Sequence, residues 1–162
     1  MPETKAIIST SHGDITLRFF PDLAPGHVNN FVALAKEGFY DGTAFHRVIP
    51  GFMIQGGDPN TKDAAKKSSW GTGDAGKRLK AEFNATPHKR GILSAARSSD
   101  PNSASCQFFI VVKDSFFLDR QYTVFGEVES GMDIADKIVN APRDGRDCPN
   151  EPTPIKIRIV ES

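Results

Sequence analysis

The stretch Phe45-His-Arg-Val-Ile-Pro-Gly-Phe-Met-Ile-Gln-Gly-Gly-Asp58 decides the fold class. It contains two short runs rich in β-branched and aromatic residues, Phe45–Ile49 and Phe52–Gly56, bounded by Pro50-Gly51 and by Gly57-Asp58. Such runs between turn-forming residues predict strands. Successive side chains of a pleated strand point to opposite faces, so Arg47 opposes His46, and Phe52 and Ile54 oppose Met53 and Gln55. An arginine, a methionine and a glutamine beside an exposed phenylalanine make an apolar floor with hydrogen-bond donors at the rim, which suits an uncharged amide ligand. Periodicity alone leaves a second reading open, in which Phe52 and Met53 are core and Arg47 is a solvated edge residue.

The same pattern recurs outward from this segment. Lys5–Ser9 and Asp14–Phe20 predict a hairpin, because Ile15, Leu17 and Phe19 alternate with Thr16 and Arg18 and Ser11-His12-Gly13 supplies the turn. Further strand-like runs are Ile92–Ala96, Gln107–Val112, Thr123–Val128 and Ile155–Val160, making eight in all. The period changes after Pro21 and Pro25, where Val28, Phe31, Val32, Leu34 and Ala35 share a helical stripe that Gly38 ends. A second helix fits Met132–Asn140 through Met132, Ala135, Ile138 and Val139. Pro59–Lys80 and Ala141–Pro154 carry no periodicity and read as long surface loops, a length often tied to function. Eight short strands with two helices indicate a mostly β chain, an antiparallel barrel or sandwich.

At 162 residues the chain amounts to about one domain. With 38% hydrophobic residues it has the composition of a globular protein and not of a disordered, collagenous or membrane-spanning one. Twenty basic residues balance 20 acidic ones, and no basic block extends beyond Lys66-Lys67 and Lys77–Lys80, so nucleic-acid binding lacks its electrostatic footprint. Cys106 and Cys148 are the two cysteines. Neither sits in a Cys-x-x-Cys or Cys/His ligand pattern, and a reduced compartment with two free thiols is expected. Cys106 adjoins a core strand, whereas Cys148 lies in the proline-rich loop and is expected to be the more reactive. The start Met1-Pro-Glu-Thr-Lys has neither the basic nor the apolar region of a signal peptide, and no apolar run could span a bilayer. A cytoplasmic protein without a membrane partner is expected.

Some motifs match only in letters. Gly71-Thr-Gly-Asp-Ala-Gly76 fits the dinucleotide pattern, but it follows Lys66-Lys-Ser-Ser-Trp70 instead of a strand, and no helical pattern opens after it. His12, His27, His46 and His88 are scattered without metal-ligand spacing. No nucleophile elbow is present. Asn84-Ala-Thr86 fits a glycosylation acceptor without the secretory context that would make it one.

The run FHRVIPGFMIQGGD, together with APGHVNNFVALAKEGFYDG (Ala24–Gly42), GTG (Gly71–Gly73), GILSAAR (Gly91–Arg97), SCQFFI (Ser105–Ile110), FLD (Phe117–Asp119) and VFGEV (Val124–Val128), closely resembles the cyclophilin family of peptidyl-prolyl cis-trans isomerases. The blocks stand in family order and cover nearly the whole chain from about residue 5 to 160. The resemblance implies one domain, a closed eight-stranded antiparallel β-barrel capped by two α-helices, with an active site on its outer face and neither cofactor nor metal.

By that resemblance Arg47 is the catalytic arginine, with Gln55 and Phe52 beside it. Met53, Phe52, Phe109 and Leu118 form the pocket for the substrate proline ring, Ala96 and Arg97 pair with the peptide backbone, and the loop at Gly71 borders a neighbouring subsite. Phe117 stands where animal cytosolic members carry Trp, and Tyr122 where they carry His, a combination closer to the bacterial branch. Proline-containing peptides and unfolded clients are the implied partners, cyclosporin a weak one, and a monomer is expected. Two rival readings are a binding module that docks a proline-containing segment without turnover, and a nucleotide-binding enzyme resting on Gly71–Gly76. A protease-coupled isomerisation assay beside a pull-down separates the first, and the absence of a nucleotide-induced thermal shift dismisses the second.

Overall fold

The computed structural model describes residues 4–161. Met1–Glu3, part of the segment read above for a leader, and Ser162 lie outside the described residues. Eight strands form one sheet: β1 (Thr4–Thr10), β2 (Gly13–Phe19), β3 (Arg47–Ile49), β4 (Met53–Gly56), β5 (Ile92–Ala95), β6 (Phe108–Val111), β7 (Val124–Ser130) and β8 (Lys156–Glu161). Their spatial order is β3-β4-β6-β5-β7-β2-β1-β8, every neighbouring pair antiparallel. Each expected strand is present, with ends moved by a few residues at most.

Local chemistry sets the connections. In the β1–β2 turn the Thr10 hydroxyl donates to the Gly13 carbonyl at 2.7 Å and accepts from His12 N–H at 3.0 Å, while Gly13 takes a φ of 132°. Helix α1 (Pro25–Lys36) starts with proline, whose fixed φ suits the first turn. Its free Gly26 and His27 N–H groups donate to the Glu82 carboxylate, supplied from another part of the chain. Helix α2 (Met132–Val139) follows Gly131, where φ is 101° and an added Cβ would meet the Asp14 carbonyl oxygen at 2.5 Å. Only glycine fits there. Helix α1 packs on β7 and β8, and α2 on β2, β3 and β4.

The sheet curls around an interior built from Ile8, Ile15, Leu17, Phe31, Phe45, Ile54, Leu93, Phe108 and Ile110, with Phe31 against the rings of Phe19, Tyr40, Phe108 and Phe125. Outward-pointing residues of the strands, Met53, Ile92, Phe109, Val111 and Val124, form a second apolar cluster with Leu118 from the segment between β6 and β7. Strands β5 and β6 are therefore buried on both faces.

The expected closed barrel is present as a curled, open half-barrel. Among the described residues no ladder joins the edge strands β3 and β8. Their lead-in segments meet instead at one bridge, Ala44–Pro154, flanked by Gly42 N–H donating to Ile155 O at 2.9 Å and Ile155 N–H donating to Thr43 O at 2.8 Å. Pro152 and Pro154 have no N–H with which to extend a ladder, and β3 is only three residues long.

Beyond the two expected helices there are 3-10 turns at Pro59–Lys62, Ala64–Ser69 and Phe116–Leu118. They are too short to print a helical period, and the first two are capped by Asp58 and Asp63 side chains. The proline-rich loop is also more ordered than a surface loop. It folds back through Asp144 N–H to Cys148 O and Asn150 N–H to Pro142 O, both 2.9 Å, and buries Cys148. Cys148 is therefore buried and not open to solvent: its thiol packs against the Pro149 carbonyl, and burial pushes its pKa up. Burial, helped by Asp58, pushes Cys106 up to about 12. Both thiols are free. Among the described residues no helix is long and apolar enough to cross a membrane.

Candidate active site

The antiparallel register puts Arg47 directly opposite Gln55, and Ile49 opposite Met53. Residues paired across two strands project to the same face, so the guanidinium, the amide and the methionine share the outer surface. Arg47 is exposed on the edge strand, as the second reading of the sequence had it; Met53 is buried, but in the outer cluster and not in the main interior. One detail of the alternation is wrong. Phe52 lies in the turn before β4 and packs with Met53 instead of opposing it, because the pleat begins only at Met53.

Of the other expected residues, Phe109 and Leu118 are buried in that cluster, and Phe52, Ala96 and Tyr122 pack against it. Phe117 is 73% exposed and covers one side of the site with its ring 5.5 Å from Phe52. Tyr122 meets Phe109 edge to face at 5.6 Å and carries the Arg97 guanidinium over its own ring at 4.7 Å. Arg97 is fixed further by donating from Nε to the Gln121 carbonyl at 2.9 Å. These residues come from β3, β4 and β6, from the 3-10 turn and from the segments just before β4, after β5 and before β7, yet they line one continuous surface.

On the far side of Gln55 a groove of about 350 Å³ runs between the Gly71–Asp74 loop and Ala96–Ser98. A chain of amides defines its wall. Gln55 Nε2 donates to Gln107 Oε1 at 3.0 Å, and Gln107 Nε2 donates to the carbonyls of Gly71 and Gly73 at 3.0 and 2.9 Å. The loop is held from beneath by Asp58, which is fully buried and accepts the N–H groups of Asn60, Gly71 and Gly73. A Cβ on Gly73 would collide with that carboxylate. The glycine pattern at 71–76 is thus the rim of a groove, not a phosphate-binding turn.

Sequence reading missed the layer behind the pocket. His88 is completely buried, stacked on Phe109 with ring centroids 6.2 Å apart. Its Nδ1 lies 3.0 Å from Asp119 Oδ1 and its Nε2 lies 3.0 Å from Ser94 Oγ, whose hydroxyl also reaches the Thr123 carbonyl at 3.0 Å. Burial lowers the His88 pKa, with Asp119 opposing that shift. The ring, held at both nitrogens, is a fixed wall for Phe109. No local spacing reveals this set, since residues 88, 94, 119 and 123 meet only in the folded chain.

Comparison with known proteins agrees with this architecture. Residues 5–161 match the family model for cyclophilin type peptidyl-prolyl cis-trans isomerase/CLD. A probable peptidyl-prolyl cis-trans isomerase of Brucella abortus (strain 2308) is 49% identical over 141 residues, covering 85% of this chain and 72% of that protein. Peptidyl-prolyl cis-trans isomerase B of Escherichia coli (strain K12) is 42% identical, with 94% of each chain covered. The crystal structure of a Cryptosporidium parvum cyclophilin type isomerase, obtained in the presence of the dipeptide Ala-Pro, superposes with a TM-score of 0.86 at 33% identity, covering 98% of both chains. With its whole curled sheet and the outer-face cluster spanned by that match, the chain belongs to the cyclophilin family of peptidyl-prolyl cis-trans isomerases.

Proposed function

We propose that the outer face of β3, β4 and β6 binds an X-Pro segment of a peptide or unfolded client, and that Arg47 accelerates rotation about its peptide bond. The observation that carries this reading is the register pair Arg47–Gln55 beside the apolar cluster of Met53, Phe109 and Leu118. An X-Pro bond interconverts over tens to hundreds of seconds because its resonance must be broken, a barrier of roughly 20 kcal/mol. No proton leaves and no covalent bond breaks, so neither nucleophile nor general base is needed. As the bond twists, the prolyl nitrogen becomes pyramidal and regains a lone pair. A guanidinium N–H can bind that lone pair, which the planar amide does not offer, so Arg47 favours the transition state over both ground states.

The remaining residues hold the substrate. Met53, Phe52, Phe109 and Leu118 anchor the proline ring, Ala96 and Arg97 pair with the backbone that precedes it, and Gln55 orients the turning carbonyl. A donor fixed before reaction stabilises developing charge without reorganisation. Cytoplasmic residence as a monomer belongs to the same reading, and the two unpaired thiols fit the reducing compartment it names. The single Ala44–Pro154 bridge between the segments that lead into the edge strands would help keep the face rigid. A protease-coupled assay on Ala-Pro, Leu-Pro and Phe-Pro peptides tests the proposal. Turnover by the wild type that collapses in Arg47→Ala is expected; equal turnover by both proteins would overturn it.

A further inference from the structure

A second pocket of about 300 Å³ adjoins Arg47 on the side away from the proline cluster. Arg47, Gln55, Gly71 and Arg97 border it, shared with the site already described, and Lys67, Trp70 and Arg146 complete it together with His46, Asp144 and Cys148. Four cations therefore face one carboxylate, on a chain whose formal net charge is +0.

That one carboxylate is already occupied. Asp144 Oδ1 accepts the N–H groups of Arg146 and Cys148 at 2.8 and 3.2 Å, which folds the loop, and Oδ2 lies 3.8 Å from Lys67 Nζ. The backbone N–H groups of Arg146 and Cys148, with the nearby Lys67, hold Asp144 below its ordinary pKa, so it stays ionised as a structural anion. Among the described residues neither the Arg47 nor the Arg146 guanidinium has an acidic partner within salt-bridge distance, whereas Arg18, Arg78, Arg90 and Arg143 each do. Two unpaired guanidiniums with a lysine beside them, walled by Trp70, form an arrangement that binds carboxylate or phosphoryl oxygens in forked geometry.

We propose that this pocket is a specificity site for an acidic side chain, a carboxylate or a phosphorylated residue, carried by the client close to the isomerised proline. The inference rests on the proposed function above, since it places the acid on the same bound chain. Peptide, and not nucleic acid, fits the setting. The pocket is a small, half-open hollow next to a peptide-sized groove, and no basic stripe continues from it that could follow a polyanion.

The test compares isomerisation of X-Pro peptides that carry Glu, phosphoserine or Gln at each flanking position in turn. At low salt one flanking position should favour Glu and phosphoserine over Gln in kcat/KM, by about fivefold for Glu. That preference should fade as salt screens it. It should vanish in Arg146→Gln and Lys67→Gln and reverse in Arg146→Glu, with turnover of the Gln peptides unchanged. Inorganic phosphate should inhibit the acidic peptides and spare the neutral ones. Equal turnover of Glu and Gln peptides at every position, or a preference that survives both substitutions, would overturn the inference, as would inhibition of both peptide classes by phosphate. Failure of the neutral peptides to be turned over at all would sink the isomerase assignment instead, so the two outcomes are distinguishable.

Discussion

The guanidinium of Arg47 and the ring of Phe117 each lend themselves to a single-residue prediction. Arg47 is exposed on a short edge strand, so Arg47→Ala should leave the melting temperature near the wild-type value. Its kcat/KM should fall about a hundredfold, roughly 2.7 kcal/mol, because the lost contact forms mainly in the transition state. Arg47→Lys should recover little, since an ammonium is a point charge without the planar fork. Substantial activity in either variant, with normal folding, would remove Arg47 from its assigned role. Phe117 keeps an apolar wall over the site but has no ring N–H, so any hydrogen bond cyclosporin would draw from an indole there cannot form. Such a bond is worth about 0.5–1.5 kcal/mol net. Calorimetric titration should give weak cyclosporin binding to the wild type and tighter binding to Phe117→Trp, on the order of tenfold. Tight binding by the wild type, or no gain in the substituted protein, would show that the aromatic donor does not matter here.

Single elements show how far the sequence could be read. The eight strands were visible because alternation, β-branched residues and turn residues coincide, and α1 and α2 because their apolar residues keep helical spacing. Phe52 was misread because alternation was extended one residue too far into a turn. The 3-10 turns left no trace, being shorter than the period that would have exposed them. Asp58 ends the decisive stretch, and nothing local in the sequence marks its task. It binds N–H groups from residue 60 and from residues 71 and 73, and only the folded chain brings these together. The rim loop should accordingly depend on it. Asp58→Ala leaves these donors without their acceptor, and a cost of about 1–3 kcal/mol is expected in denaturant unfolding. Gly73→Ala should displace the same loop and raise KM more than it lowers kcat. Unchanged stability in Asp58→Ala, or unchanged KM in Gly73→Ala, would mean that the rim is held by other contacts.

The molecule as a whole should lose stability in mild acid. Burial holds His46 and His88 below the ordinary histidine value of about 6.5, with Asp58 and Asp119 respectively opposing the shift. Below that value the unfolded chain takes up protons that the native rings resist, so stability is full above about pH 6.5 and declines as pH falls through the folded values. The carboxylates held low by partners, Asp136 by Arg90 and Asp144 by backbone N–H groups, act only at more acidic pH. Thermal melts between about pH 7 and 5 should therefore show a decline due to the histidines, whereas turnover should stay nearly flat from about pH 6 to 9, since arginine remains cationic throughout. A bell-shaped activity profile would contradict the mechanism, and constant melting temperatures would contradict the histidine argument. The pairing of β1 with β8 has a consequence of another kind. Thr4 and Glu161 are register partners, so their Cα atoms lie only about 5 Å apart. A few flexible residues could join them, and the exposed Ser11-His12 turn could be opened in exchange. The permuted chain, with β1 following β8, should fold and turn over peptides as the original does. A domain whose two ends leave side by side can also be spliced into a loop of an unrelated carrier without prising that loop apart.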